Sequence, residues 1–468
     1  MRLKAPIILG ALCALPTFLA HAQSVTDLAV LKGLAPVRVL SRTAEGIAAL
    51  SANYTVTGGI QTGAITQSTL LPLLEQQQQA LQDVFSTVGN LAQIADGLGT
   101  TLGSSYVARA HYIDRTHFTN VAPAVADVIA YALVTPGLNA NSAKYFFANA
   151  TTDGKTAVSA EAMAILRDSG GETDIFGKSY RLPAGAPGAD AYGDSRPFQT
   201  EPSLVPIIGR DYFNTPADNT VYNRGPLMNL INSPSFPSGH TTYGYSGALI
   251  LALLVPSRYQ QMITRAAEYG NDRILVGAHY AMDVIGGRTL AIYDMAHLLA
   301  NDPAYVGLAR RGAPTIKDFQ SAIKAARAEL TGALQAGCGK TIQECSGEDT
   351  GRLGNPAANE AFYADTQTYN LPVVYPDTAA VEDVAKLAPE AGYLLTVAFP
   401  TLSLEQADKI LTDTEGPGGG FLDDGSHFGV YSRLNLYAAA GEAAALAARQ
   451  PATARDENTL PSRKRVRH

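Results

Sequence analysis

Between Pro234 and Asp283 two polar clusters bracket an apolar stretch, and no other part of the chain restricts the fold as strongly. Pro237-Ser238-Gly239-His240 opens a run of helix-forming residues that turns continuously apolar from Gly247 to Val255. Ser238 is a natural N-cap, because its hydroxyl can accept from the free N–H groups of a first turn. Gly239 lets backbone approach an anion closely, and those same N–H groups favour a negative ligand. His240 then lies in the first turn, beside whatever is bound. The second cluster is Arg273, five residues, His279, three residues, Asp283. One helical turn apart, His279 and Asp283 can share a helix face, so that the carboxylate accepts from one ring nitrogen and leaves the other free to attack. Arg273 lies off that face and is expected to reach the same place from the start of the helix or from the loop before it. The competing readings are an ordinary helix start and a surface ion pair.

The rest of the chain reads as all-α. Leu81, Val84, Phe85, Val88 and Leu91 have helical spacing, as do Ile323, Ala326 and Leu330, while period-two alternation is scarce. Gln76 to Gln79 read as the polar face of the first of these helices. Ser403 with Gln406 forms a capping box for a helix that turns Ala407, Ile410 and Leu411 to one side, and a last helical stretch runs from Leu434 to Ala448. Pro183 to Pro197 and Gly416 to Gly420 are loops. Asp423 and Asp424 lack the alternating ligands of a calcium loop and read as a solvated turn.

At the N-terminus Arg2 and Lys4 precede an apolar stretch from Pro6 to Leu19 that closes on Ala20-His21-Ala22, the pattern of a cleaved signal peptide. A periplasmic or secreted protein beginning at Gln23 is therefore expected. Without residues 1–22 the chain carries 33 basic against 42 acidic residues. That balance argues against nucleic acid as a partner, and the basic residues from Arg463 to His468 read as a solvated tail. Cys338 and Cys345 alone remain, and an oxidising compartment predicts a disulfide between them, with two free thiols as the alternative. The apolar run Gly247 to Val255 is far short of the roughly 20 residues of a membrane span, so no stable span is expected.

The order Pro237-Ser238-Gly239-His240, 32 intervening residues, then Arg273, His279 and Asp283 resembles two of the three signature blocks of the type 2 phosphatidic acid phosphatase superfamily. That superfamily also holds bacterial class A acid phosphatases and vanadium haloperoxidases. The usual serine before the arginine is Asp272 here, and its carboxylate would oppose an anion if it pointed inward. The first block, a lysine followed after six residues by Arg-Pro, is broken: Arg196-Pro197 is present, but position 189 is Ala189. A helix-compatible segment from Asn141 to Ala150, set off by Pro136-Gly137, carries Lys144, which suits the missing lysine if roughly 45 residues are inserted before Arg196. Lys155 and Lys178 are its competitors. The insertion has its own helix near Ala160 to Arg167 and is expected beside the pocket.

The resemblance implies a helical bundle of the acid phosphatase and vanadium haloperoxidase type with a long insertion and a C-terminal extension. Its parts would be a signal peptide (1–22), an N-terminal segment (23–64), a phosphatase domain (65–300, with the insertion at 151–192), an extension or separate module (301–450) and a disordered tail (451–468). It further implies an acid phosphatase that hydrolyses small phosphomonoesters without a metal or cofactor. His279 would be the nucleophile, Asp283 its support and His240 the general acid and base. Lys144, Arg196, Arg273, Ser238 and Gly239 would hold the phosphate oxygens. A haloperoxidase would instead carry vanadate on His279, and a lipid phosphatase would work at a membrane face. A metallophosphatase would need clustered ligands, and the histidines look scattered: His111 and His117 with Asp114 read as a polar face or loop, and His297, Arg288 and His427 stay unassigned. No residue pattern sets an oligomeric state.

Overall fold

The computed structural model describes residues 23–449 apart from 85–89, 115, 180–181, 202–203, 226–227 and 311. The expected signal peptide at 1–22, the tail at 451–468, and Phe85 and Val88 lie outside the described residues. Helices dominate, and the only strands among the described residues are a short antiparallel ribbon, Ile208–Arg210 against Pro216–Asp218. The all-α expectation holds. Among the described residues no helix is long and apolar enough to cross a membrane.

Four helices form the centre. Gly239–Leu254 is buried almost throughout and packs against Tyr259–Leu275, Ala281–Leu299 and Pro123–Asn149. Its N-cap is Ser238, whose hydroxyl accepts from Thr241 N–H at 3.1 Å. Gly286 and Gly287 allow the Ala281–Leu299 helix to touch the loop before it, since a Cβ on either would overlap Phe236 or the Ser238 carbonyl. Thr242 Oγ1 closes this contact by donating to the Gly287 carbonyl at 3.1 Å.

The N-terminal segment secures the same helix from another side. Ala44–Thr62 supplies Thr57 and Asn53, whose side-chain oxygens accept from Ala281 N–H (3.1 Å) and Met282 N–H (2.9 Å). These are donors that a helix start leaves without an intrahelical partner. The residues after 301 also pack on the central helices: Arg288 donates to the carbonyls of Gln367 (3.0 Å) and Ser432 (2.6 Å), and Tyr259 to that of Leu394 (3.1 Å). Phe319–Cys338 buries Ile323, Ala326 and Leu330 as their spacing predicts. Leu404–Asp413 starts with the Ser403–Gln406 capping box, and Cys338 and Cys345 are disulfide-bonded.

Several expectations need correction. The helix sought through Leu81 to Leu91 lies earlier, at Leu73–Gln82, so Gln76 to Gln79 form its middle and Gln77 is buried. Its C-cap is Asp83, whose side chain pairs with Arg265. Asn141 to Ala150 is no separate helix but the end of the 27-residue helix Pro123–Asn149, which runs through Pro136. Asp423 is fully buried, accepting from Gly419 N–H at 2.6 Å and lying 3.4 Å from Arg433, so the turn is an anchored one.

Candidate active site

The first turn of the Gly239–Leu254 helix and the Pro123–Asn149 helix line a cavity of about 420 Å³, and Arg196, in its wall, leads from it to the buried His279 and Asp283. Its wall includes Lys144, Arg196, Ser233, Gly239 and His240 on one side and Leu133, Leu138, Leu230 and Tyr243 on the other. Arg273 enters from the last turn of its helix, not from a helix start or a loop, and His279 stands just before the next helix rather than on its face. The expected contact nevertheless forms: Asp283 at the third helical position is 3.2 Å from His279 Nδ1. The same carboxylate accepts from Tyr280 N–H at 2.8 Å and from the Ser235 hydroxyl.

Arg196 lies against the other side of the His279 ring. Its Nη1 is 3.0 Å from His279 Nε2 and donates to the Ala278 carbonyl at 2.8 Å. A guanidinium has no lone pair to offer, so Nε2 must be the acceptor and the ring proton sits on Nδ1, facing Asp283. Burial, reinforced by Arg196 and Lys144, holds His279 well below the usual histidine range, which keeps that neutral tautomer. Burial pushes Asp283 up to about 6, opposed by the Ser235 hydroxyl and Tyr280 N–H.

The remaining cations are held by neutral acceptors. Lys144 Nζ donates to the Pro234 carbonyl at 3.0 Å, and Arg196 to the carbonyls of Ser233 (2.7 Å) and Pro234 (3.0 Å). Arg273 Nη1 donates to the Tyr222 hydroxyl at 3.0 Å, while its Nη2 has no partner among the described residues. Burial and then Arg196 drive Lys144 well below the usual lysine range. A Cβ on Gly239 would meet Lys144 Cε at 3.4 Å, an ordinary contact, so the two residues lie side by side. His240 Nε2 is 3.3 Å from the Tyr222 hydroxyl, and its ring centre is 6.1 Å from that of His279.

Of the eight residues expected from the sequence, Lys144, Arg196, Gly239 and His240 line the cavity, while His279, Asp283, Ser238 and Arg273 are fully buried behind it. Of the three lysines weighed, Lys144 reaches the cavity, whereas Lys155 is exposed and Lys178 pairs with Glu172 at 2.6 Å on the surface. Asp272 turns away from the pocket and hydrogen-bonds Asp83, with burial holding it well above the usual carboxylate range. Asp194, just after the insertion, accepts from Phe236 N–H at 2.7 Å and is pushed far up by burial and by Asp283, but no described residue of the insertion lines the cavity. The insertion's helix, Ala160–Asp168, packs on Val25–Leu34 instead. Ser235, Tyr222 and Asp194 escaped the sequence reading. Ser235 and Asp194 each sit two or three residues before a recognised block, the one signal that could have drawn attention to them.

Comparison with known proteins agrees with this geometry. Residues 192–301 match the PAP2 superfamily, a span that begins after Lys144 and contains every other residue expected to form the pocket. The chain is 35% identical over 101 residues to a non-specific acid phosphatase of Salmonella typhimurium, covering 22% of this chain and 34% of that protein. It is 45% identical over 64 residues to an acid phosphatase of Zymomonas mobilis (14% and 24%) and 37% identical over 87 residues to a lipid A 1-phosphatase of Rhizobium johnstonii (18% and 34%). The chain thus spans about a third of the length of the first of these relatives.

Proposed function

We propose that this PAP2 superfamily protein is an exported acid phosphatase that hydrolyses phosphomonoesters through a phosphohistidine on His279. The observation that carries the reading is the pair of contacts on His279, with Nδ1 3.2 Å from Asp283 and Nε2 3.0 Å from Arg196, whose guanidinium lines the cationic cavity and would turn to the phosphate as Nε2 attacks. Nε2 attacks phosphorus as the ester P–O bond breaks, and His240 gives its proton to the leaving alkoxide. Asp283 supports the charge that develops on the ring. Water then attacks the phosphohistidine, His240 takes its proton, and the P–N electron pair returns to Nε2. Lys144, Arg196, Arg273 and the N–H of Gly239 balance charge on the equatorial oxygens, whereas the Ser238 N–H, expected to join them, donates to the Asp283 carbonyl at 2.9 Å and Ser238 serves as the helix cap.

These cations supply the neutralisation for which other phosphatases recruit metal ions, so the reaction is proposed to need no metal or cofactor. The apolar wall of Leu133, Leu138, Leu230 and Tyr243 suits an alkyl or aryl leaving group. Export is supported by the Cys338–Cys345 bond, which persists in oxidising compartments. The test is hydrolysis of a chromogenic phosphomonoester from about pH 4 to 8 in the presence of chelator, with and without vanadate. Activity that resists chelator and is inhibited by vanadate supports the proposal. Absence of hydrolysis, with vanadate-dependent oxidation of halide by peroxide, would move the protein to the haloperoxidase chemistry of the same pocket.

A further inference from the structure

Three side chains from well-separated parts of the sequence converge away from the phosphate pocket. His297 comes from the last turn of Ala281–Leu299, Glu390 from the 3₁₀ helix Pro389–Gly392, and His427 from the loop before Gly429–Ser432. One ligand atom of each lies within 4.8 Å of the others. His427 Nε2 is 3.1 Å and His297 Nε2 is 3.7 Å from Glu390 Oε1. A tetrahedral ion with bonds near 2.1 Å keeps its ligand atoms about 3.4 Å apart, which these separations bracket.

The opposite ring nitrogens are already engaged. His297 Nδ1 is 2.8 Å from Asp302 Oδ2, and His427 Nδ1 is 2.5 Å from the Leu387 carbonyl oxygen. Both partners only accept, so each ring carries a proton on Nδ1, and in its neutral form turns the Nε2 lone pair toward Glu390. Burial holds His297 below the usual histidine range, and its Nε2 has no hydrogen bond among the described residues. Two ring nitrogens thus converge on one carboxylate oxygen, an arrangement that a cation at their centre can bind in place of ring protons. Backing by a carboxylate or a carbonyl is also how metal-bound histidines are usually oriented. Tyr305 stacks on the His297 ring at 5.0 Å, and the Tyr431 hydroxyl steadies Glu390.

We propose that His297 Nε2, His427 Nε2 and Glu390 Oε1 form a binding site for a divalent transition metal ion of the zinc class. His427 is 44% exposed, so water completes the coordination. The site lies 14 residues along the helix from Asp283, about 21 Å at 1.5 Å per residue, and is separate from the hydrolytic centre. Its role is to clamp the C-terminal segment to the helix whose other end carries Asp283.

The test uses the full, untagged chain, dialysed against chelator and titrated with zinc by calorimetry and with cobalt(II) by visible absorption. Expected are one equivalent bound, a cobalt spectrum of low-coordinate intensity and a Tm raised by a few degrees at saturating zinc. His427→Ala, at a half-exposed position where folding is safe, should weaken zinc binding at least about tenfold and remove the rise in Tm, and Glu390→Gln should do the same. No stoichiometric binding by the wild-type chain would overturn the proposal. Binding that both variants retain would equally overturn it, because the ion would then sit elsewhere.

Discussion

Two clusters of buried charge meet the Tyr259–Leu275 helix, one at its middle around Arg265 and one beyond its last turn around His279, and they are built on opposite rules. Around Arg265 every cation meets a carboxylate: Arg265 makes a two-pronged contact with Asp83 at 2.7 Å and another bond to Asp96 at 2.8 Å, while Arg352 grips Glu268 at 2.6 and 2.7 Å. Burial alone would lower Arg265, yet Asp83 and Asp96 push it well above its ordinary range. Around His279 the cations meet carbonyls and a hydroxyl, and burial leaves Lys144 and Arg196 below theirs. The first cluster has satisfied its charge internally and holds the fold together. The second keeps positive charge unbalanced, at a cost in stability that a bound anion would offset.

The sharpest attempt to break this contrast is at the pocket's centre. His279→Ala should reduce kcat at least about 10⁴-fold without a matching fall in Tm, read by steady-state kinetics and thermal unfolding. In the paired cluster the effects should be exchanged. Asp83→Ala removes the two-pronged partner of Arg265, leaving Asp96 and Glu268, and should cost about 1–3 kcal/mol in denaturant unfolding, while the protein that remains folded keeps its kcat. Similar losses of activity and stability from both substitutions would erase the distinction.

The clusters also differ in how far the sequence disclosed them. The pocket was legible because its key residues lie in two short blocks with fixed spacing, and Ser238, Gly239 and His240 follow from the rules for starting a helix. Lys144 was harder, since the insertion removed its spacing and left only a helical context. The paired cluster was invisible: Asp83, Arg265 and Arg352 are far apart in the chain, and complementary charges carry no positional signature. The same holds for Thr57 and Asn53, which cap a helix more than 220 residues away. The helix expected through Leu91 ends at Gln82, and the apolar spacing beyond it reflects buried packing of Val84 and Leu91 outside that helix. His297 and His427 looked scattered because 130 residues separate two rings only 5.7 Å apart.

Lys144→Met sharpens the contrast at smaller scale. Removing one unbalanced cation should lower kcat/KM about 10²-fold and abolish the rise in Tm that inorganic phosphate gives the wild-type protein. Ser235→Ala should have the mildest effect. Its hydroxyl donates to Asp283 and opposes the burial that brings that carboxyl to about 6. Removing a donor to the charged form raises the pKa further, so the acid limb of kcat/KM should move to higher pH, by up to about one unit. A limb that stays in place would assign it to another group.

The central claim is that phosphorus passes through His279. Protein denatured in alkali during turnover of a phosphomonoester, then digested and sequenced by mass spectrometry, should carry an acid-labile phosphate on His279, absent from His279→Ala. Phosphate found on a different residue, or turnover retained by His279→Ala, would contradict it.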